Sequence, residues 1–349
     1  MKRVDSERRQ YLIRVERKRA RRKHKQQHGG SQGRGTPARA KEKRTVKAPE
    51  EFGIFFKPLR KRVCEFISEL REAIGKGKRP VVIDFTGTQR MAAEGTLLFK
   101  AELCRLIRSY PGTPVSCLAP RDDKVSEVLK QVGIYELLGF DSKIKPSHDD
   151  VVNWRHAHGH GAQGKKYDEI LGHYDGIIPN RLAEGLYVGI TEAMSNCHHH
   201  AYIWKRKDGL NADPKSKDWW MFSQERDGKL TVVFCDLGVG IPETLPVKRP
   251  ALWKRLIALQ KRPKDGKAIE AALKESRSRT EKHYRGKGLK QLVNAIEQFP
   301  AARLLIMSNK RCYDYIANGN TRVVNYRDSI LGTLIQWTVP ISDLPAPPQ

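Results

Sequence analysis

Apolar residues between 52 and 148 recur with two alternating periods. Stretches with apolar side chains three or four positions apart predict amphipathic helices, and short continuous apolar runs predict buried strands. The predicted elements are a helix over 58–77, a strand over 80–85, a helix over 96–110, a strand over 113–119 and a helix over 122–133. This alternation of helices and strands predicts a small α/β domain over 52–148.

The pattern changes after this domain. Residues 149–166 are rich in glycine and histidine and are predicted to connect two domains. The elements predicted beyond them are helices over 179–204 and 287–299 and strands over 219–226, 229–236, 302–309, 321–327 and 331–339. We therefore expect a second α/β layer over 167–342, an α+β sandwich whose sheet is mixed or antiparallel.

The positive charge of the chain is concentrated at its start. Of 349 residues, 66 are Lys or Arg and 39 are Asp or Glu, which gives a formal net charge of +27. Residues 1–50 hold 18 of the basic residues and 5 of the acidic ones. We expect a basic arm and linker that contacts a polyanion, nucleic acid before an anionic membrane surface; the alternative is a solvated tail.

Localisation is predicted from features that the sequence lacks. No stretch of about 18 apolar residues could span a bilayer, and the start MKRVDSERRQ has no apolar core of a secretory signal. The six cysteines form no C-x-x-C pair, so we expect reduced core thiols. Together these features predict a cytoplasmic protein.

Three segments in the second half carry candidate chemistry. In the first, GITEAMSNCHHHAY (189–202), Glu192, Asn196 and His200 are four residues apart, so a helix would place them on one face. A carboxylate and an amide one turn apart can orient a nucleophile and supply an oxygen to Mg²⁺. The alternative is an ordinary polar pair on a solvated helix face.

The second segment is VVFCDLGVGIP (232–242), where an apolar strand runs into Asp236, Gly238 and Gly240. An aspartate at a strand end can accept a hydrogen bond from an exocyclic amine. Glycines beside it let the backbone approach a ligand closely. The alternative is a turn that merely ends the strand.

The third segment is TEKHYRGKGLKQLVNAI (280–296), in which a Gly-x-Gly directly precedes an amphipathic helix. Arg285 and Lys287 alternate with Gly286 and Gly288. A helix N-terminus with free amides and adjacent cations is typical of a phosphate site.

In this order and spacing, the three segments resemble the N, G1 and G2 boxes of the GHKL (Bergerat-fold) ATPase superfamily, which includes gyrase and the histidine kinases. The resemblance covers about 165–340. It is strongest to the anti-sigma-factor serine kinase branch, whose N box follows the pattern E-A-x-x-N-x-x-x-H-[GA]-Y. The matching positions are Glu192, Ala193, Asn196, His200, Ala201 and Tyr202.

The resemblance implies ATP and Mg²⁺ as cofactors and a role for each box. Glu192 would be the general base, Asn196 would hold Mg²⁺, and Asp236 would bind the adenine amino group. Residues 243–284 would form a lid over the nucleotide. The implied ATP-binding residues are Asn196, Asp236, Gly238, Gly240, Thr280, Arg285, Gly286, Lys287, Gly288 and Leu289. Charge neutralisation and positioning are most of what phosphoryl transfer needs.

The first domain resembles a second family. Its segment VVIDFTGTQRMAAEGTLLF (81–99) is similar to the centre of STAS domains of the anti-sigma-factor antagonist type, with Asp84, Gly87 and Gly95 aligned. Glu94 occupies the position of the phospho-acceptor serine, so phosphorylation is not expected there. We interpret Glu94 as a carboxylate that stabilises a helix N-terminus; the alternative is a fixed charge that resembles the phosphorylated state.

Two further clusters have simpler explanations. His156, His158 and His160 alternate as metal ligands on a strand would, but glycine-rich connectors collect such residues, and a connector without metal is favoured. Trp219 and Trp220 could stack on nucleic-acid bases. At the start of a strand, we expect them to be half buried instead.

These observations predict a regulatory protein that binds and hydrolyses ATP as a conformational switch controlling a protein partner. Residues 1–50 would contact nucleic acid or an acidic partner. One alternative is a serine/threonine protein kinase that phosphorylates a partner in trans. Another is a nucleic-acid-binding assembly factor in which ATP is structural. The family resemblance also favours a homodimer.

Overall fold

The computed structural model describes residues 42–77, 79–174, 177–210, 217–248, 250, 254 and 293–341. Helices and strands both contribute substantially, so the fold is of the mixed α and β kind that the sequence predicts. Residues 1–41 of the predicted arm, residues 255–292 and thus the start of the helix predicted over 287–299 lie outside the described residues. No helix in the described part combines the length and the apolar composition needed to cross a bilayer.

The first module is a three-stranded parallel sheet covered by helices. Its elements are β1 (Arg44–Lys47), β2 (Glu51–Phe52), α1 (Lys57–Gly75), β3 (Val81–Asp84), β4 (Arg90–Met91), α2 (Ala93–Ser109), β5 (Val115–Leu118), α3 (Asp123–Gln131) and α4 (Ile134–Leu137). The strand order is β1-β3-β5, so Val82 lies between Thr45 and Ser116. The rings of Phe52 and Phe99, with centroids 5.3 Å apart, mark the core between sheet and helices.

One boundary prediction for this module is wrong. The range 1–50 was expected to be arm and linker, but β1 lies within it and pairs with β3. The four residues of β1 include three that are basic or polar, and Val46 alone is fully buried. A strand that places one apolar residue in the core has too little periodicity to stand out in a lysine-rich segment.

The second module is a seven-stranded sheet in which every pair of neighbouring strands is antiparallel. Its elements are α5 (Asp149–Val152), β6 (Arg155–His160), α6 (Asp168–Leu171), α7 (Asn180–Asn196), β7 (Asp218–Arg226), β8 (Lys229–Asp236), α8 (Ile241–Lys248), β9 (Arg303–Ser308), β10 (Arg311–Ile316), β11 (Asn320–Asn325) and β12 (Thr333–Pro340). The strand order is β11-β10-β9-β12-β8-β7-β6. The helices predicted at 58–77, 96–110, 122–133 and 179–204 and the strands predicted in the second half are confirmed as α1, α2, α3, α7, β7, β8, β9, β11 and β12.

Two strands of this sheet were not predicted. β6 lies in the supposed connector 149–166 and pairs with β7 along its whole length, because backbone pairing needs no large apolar side chain. β10 was missed because charged residues interrupt its pattern. One of them, Asp314, is buried and accepts hydrogen bonds from Arg303 at 2.7 Å and Arg322 at 2.5 Å.

Both faces of the seven-stranded sheet are buried. Along β8, Val232 and Phe234 belong to the apolar core that includes α7, whereas Val233 and Cys235 belong to the core that includes α2 and the first module. Trp219 and Trp220 divide between the same two faces and are both fully buried, whereas the sequence predicts half burial, because both faces of the sheet are covered. The described residues therefore form one compact unit in which the first module covers the face of the sheet opposite α7.

A buried ionic cluster joins α2 to the loop that follows α7. The carboxylate of Glu102, in α2, forms ion pairs with Arg71 and Arg206 and lies 3.3 Å from Arg105. Asp208 pairs with Arg105 and lies 3.6 Å from Arg206. Burial alone would raise the pKa of Glu102, but Arg206, Arg71 and Arg105 together hold it well below its usual range.

Replacing Glu102 by Gln should therefore be strongly destabilising, because three buried guanidinium groups lose their shared anion. We expect the free energy of unfolding to fall by about 3 kcal/mol, measured by urea denaturation. Glu65→Gln removes an exposed partner of Lys61 and serves as the matched control, with a change within about 0.5 kcal/mol. Equal effects of the two substitutions would contradict the role given to the cluster.

Candidate functional site

A row of side chains crosses one end of the sheet on the face that carries α7. Ser308 of β9 pairs with Thr333 of β12, Thr333 pairs with Asp236 of β8, and Asp236 pairs with Trp219 of β7. Directly paired residues of neighbouring strands point to the same face. Three polar groups, all buried, are therefore collected at this edge of the sheet.

Asp236 is the central residue of the row, and its side chain is 5% exposed. Its Oδ1 accepts a hydrogen bond from the Gly238 amide at 2.9 Å, and the Thr333 amide also donates to the carboxylate. Burial raises the pKa of Asp236 to about 7, although these amides and the charge of Arg206 oppose the increase. With the described residues it forms no ion pair, so its acceptor capacity is only partly used.

The turn after β8 is held against the C-terminal end of α7. The Val239 amide donates to the Ala201 carbonyl at 2.8 Å, and the Leu237 amide donates to the Tyr202 hydroxyl at 3.0 Å. A Cβ atom at Gly238 would lie 2.3 Å from the Ala201 oxygen, which no side chain could tolerate. The close approach of the Ala201 backbone therefore explains why residue 238 is glycine, a position at which the sequence predicts contact with a ligand.

Gly240 has a different structural reason. Its φ of +87° lies in the left-handed region that glycine adopts without strain. A Cβ atom there would also lie 2.6 Å from Nδ2 of Asn309. The turn therefore leaves β8, reverses at Gly240 and enters α8, the described beginning of the predicted lid.

Glu192 and Asn196 lie one turn apart near the end of α7, and both side chains are partly buried. Burial raises the pKa of Glu192, whereas the neighbouring side chains of Asn196 and His199 lower it. Beyond Asn196 the helix widens into a π-helical turn over Cys197–Ala201. The position of His200 is therefore not set by the regular α-helical spacing on which its predicted alignment was based.

The structure thus brings together the first two of the three predicted segments, since Ala201 and Tyr202 bind the turn that follows Asp236. The predicted residues of the third segment, namely Thr280, Arg285, Gly286, Lys287, Gly288 and Leu289, lie outside the described residues. The described end of that segment places Val293 and Ile296 in the same core as α7.

Glu94, in segment 81–99, lies in the first turn of α2. Its Oε1 accepts a hydrogen bond from the Ile54 amide at 3.4 Å, and burial raises its pKa. A carboxylate in this position offsets the partial positive charge of the helix N-terminus. The first-turn position is the one that the capping interpretation requires, but burial outweighs the hydrogen bonds that favour the ionised form of Glu94.

Three residues of the site were not singled out from the sequence. Ser308 Oγ accepts a hydrogen bond from the Ile241 amide at 2.8 Å and lies 3.3 Å from the Thr333 hydroxyl. Asn309 donates to the Val239 carbonyl at 2.9 Å. Single polar residues at strand ends are too common to stand out, and their meeting at one edge depends on strand order, which the sequence pattern does not encode.

The raised pKa of Asp236 predicts a pH-dependent cost in stability. The folded protein holds this proton up to about pH 7, whereas the unfolded chain releases it near pH 4. Stability from this group is therefore lost as the pH rises between these values. Asp236→Asn should equal the wild type near pH 4 and exceed it at pH 8 by up to about 4 kcal/mol.

Chemical denaturation of both proteins at several pH values measures this difference. The control is Asp227→Asn, which changes an exposed aspartate of the β7–β8 turn with a left-handed φ of 52° that asparagine accepts. A difference between Asp236→Asn and wild type that does not grow with pH would show that the carboxylate is not held out of water.

No protein-family model matches this chain, and no curated protein is significantly similar to it. Its function is therefore inferred from its own residues.

Proposed function

We propose that the second module binds ATP together with Mg²⁺ in a Bergerat-type site and uses hydrolysis as a switch on a protein partner. The observation that carries the proposal is the buried Asp236 carboxylate, which accepts backbone hydrogen bonds and has no ion-pair partner among the described residues. Such a carboxylate offers lone pairs to a ligand that donates hydrogen bonds. The amino group of adenine is a donor of this kind.

The groups around Asp236 suit the same ligand. The Thr333 and Ser308 hydroxyls lie in its cross-strand row and can each donate or accept a hydrogen bond, as ring nitrogens require. The glycines at 238 and 240 make room for Ala201 and Asn309, and these contacts hold the turn in place beside Asp236. These features support a nucleotide at this edge of the sheet.

The end of α7 supplies oxygen atoms of the type that Mg²⁺ prefers. Asn196 would hold the ion, which when bound neutralises charge on the phosphates. Glu192 is partly buried, and burial raises its pKa, so it takes up a proton more readily than an exposed carboxylate. This property suits a general base that receives the proton of an attacking water.

The order of the elements supports the wider architecture that we propose, a STAS-like module joined to a GHKL-type ATPase. The helix that carries Glu192 and Asn196 precedes the strand that ends in Asp236, and the remaining strands complete one sheet. The basic residues of the predicted arm would tether this unit to nucleic acid or an acidic partner.

Asp236→Asn should weaken ATP binding by a factor of roughly 10 to 100, because a hydrogen bond to a charged acceptor contributes about 1.5–3 kcal/mol. Isothermal titration with Mg·ATP at pH 8 measures the dissociation constant. Asp227→Asn again serves as the control and should bind as the wild type does. Equal binding by Asp236→Asn and wild type, or none by wild type, would refute the proposed site.

Glu192→Gln should abolish release of phosphate from ATP while it leaves the ATP affinity within a few-fold of wild type, because the amide keeps the shape but cannot accept the proton. A phosphate-release assay and a binding titration on the same preparations separate the two effects. The matched control is Glu184→Gln, an exposed glutamate two turns earlier on α7. Undiminished turnover in Glu192→Gln would remove Glu192 from the chemistry.

A further inference from the structure

Asn309 occupies the tight turn between β9 and β10 with a left-handed φ of 51°. Its Nδ2 donates to the Val239 carbonyl at 2.9 Å, and its Oδ1 accepts from the Gly332 amide at 3.3 Å. Its own amide donates to the Gly332 carbonyl at 3.1 Å. One side chain thus ties the turn after β8 to the residue that precedes Thr333, on both sides of Asp236.

The first module holds Asn309 from the opposite side. Arg60 of α1 is fully buried, and its Nη2 donates to the Asn309 carbonyl at 2.5 Å while its Nε donates to the Asp328 carbonyl at 2.9 Å. The guanidinium lies 4.0 Å from the centre of the Tyr326 ring. The Tyr326 hydroxyl in turn donates to the Phe55 carbonyl at 2.6 Å.

Arg60 is unusual because, within the described part of the chain, its hydrogen bonds to oxygen all end on backbone carbonyls, including that of Ile54 at 3.4 Å. A buried guanidinium is costly to desolvate, and burial lowers the pKa of Arg60. Hydrogen bonds to neutral carbonyls offset less of this desolvation cost than hydrogen bonds to a carboxylate would. The planar guanidinium of Arg60 does, however, fix the positions of several backbone carbonyls relative to α1.

We propose that Arg60 and Asn309 are positioning residues through which the first module fixes the turn 237–240 and so sets the nucleotide affinity of the second module. The path has two hydrogen bonds, from Arg60 to the Asn309 carbonyl and from the Asn309 side chain to the Val239 carbonyl. The part that concerns affinity rests on the proposed function. The part that concerns the turn stands on the geometry alone.

The identity of Asn309 is well suited to this task. Asparagine tolerates a left-handed φ and offers both a donor and an acceptor. Glycine would keep the backbone conformation but remove both side-chain bonds. Aspartate would keep the acceptor for Gly332 but direct an oxygen at the Val239 carbonyl, which also is an acceptor.

The test compares Asn309→Gly and Asn309→Asp with Asn318→Gly. Asn318 is an exposed asparagine in the β10–β11 turn, also with a left-handed φ, at 85°. Two quantities are measured: amide hydrogen exchange over residues 237–241 in the protein without nucleotide, and the dissociation constant for Mg·ATP. Arg60→Lys extends the test to the first module and keeps the positive charge.

Both Asn309 variants should speed exchange at the Val239 and Ile241 amides at least tenfold and weaken ATP binding by about the same factor, with exchange in β8 unchanged. Asn318→Gly should change neither quantity, and Arg60→Lys should show the same local effect in smaller degree. Wild-type exchange over 237–241 in Asn309→Gly would overturn the inference. A general increase in exchange across β8 in Asn309→Gly would also overturn it, because the residue would then be merely structural.

The experiment also distinguishes failure of this inference from failure of the proposed ATP-binding function. If the wild type binds no ATP, exchange without nucleotide still decides the inference: faster exchange confined to 237–241 supports a positioning role for whatever ligand the turn serves. If the wild type binds ATP but Asn309→Gly binds it equally well, the role of Asn309 in affinity is refuted while the nucleotide site stands. If only Arg60→Lys leaves both exchange and affinity at the wild-type level, the coupling between modules is refuted.

Discussion

The structure depends on the burial of both faces of the seven-stranded sheet. β7 and β8 alternate large apolar residues between the core of α7 and the core of the first module, so neither face can be left in water. An antiparallel sheet commonly leaves one face solvated. Here α2 and its neighbours replace the solvent, and the two modules fold around one shared layer. The first module therefore forms part of the structure that supports the site.

The core shared by the two modules also contains charged side chains. The ion pairs and hydrogen bonds of these side chains connect the first module to the surroundings of Asp236. Glu102 of α2 forms an ion pair with Arg206, and the charge of Arg206 partly opposes the rise that burial causes in the pKa of Asp236. On the other side of the turn, Arg60 of α1 binds the carbonyl of Asn309. The electrostatic link acts on the charge of the central carboxylate, whereas the hydrogen-bonded link acts on the backbone beside it. Both begin on helices of the first module.

The parts of this fold that the sequence predicts are those with strong apolar periodicity. β8 is predicted to the residue at both ends because a largely apolar segment lies between two turn-forming sequences, Asp227-Gly228 and Leu237-Gly238. The strands β1, β6 and β10 are not predicted from the sequence, because they place few apolar side chains in the core or contain charged residues that interrupt the pattern. The same limit applies to the site: Asp236 and Gly238 lie next to each other in the chain, but Ser308, Thr333 and Asn309 join them only through strand order.

Within the described part of the chain, the forces on the Asp236 carboxylate do not balance in favour of its ionised form. An ionised carboxylate removed from water is destabilising unless hydrogen bonds or a cation offset the lost hydration. Two backbone amides and the charge of Arg206 offset only part of it, because the pKa remains near 7. A residue chosen for stability alone would not be acidic here. Under the proposed function, a ligand that donates a hydrogen bond to the carboxylate would recover part of that cost on binding, so the cost of burying Asp236 and the affinity for the ligand would have the same physical origin.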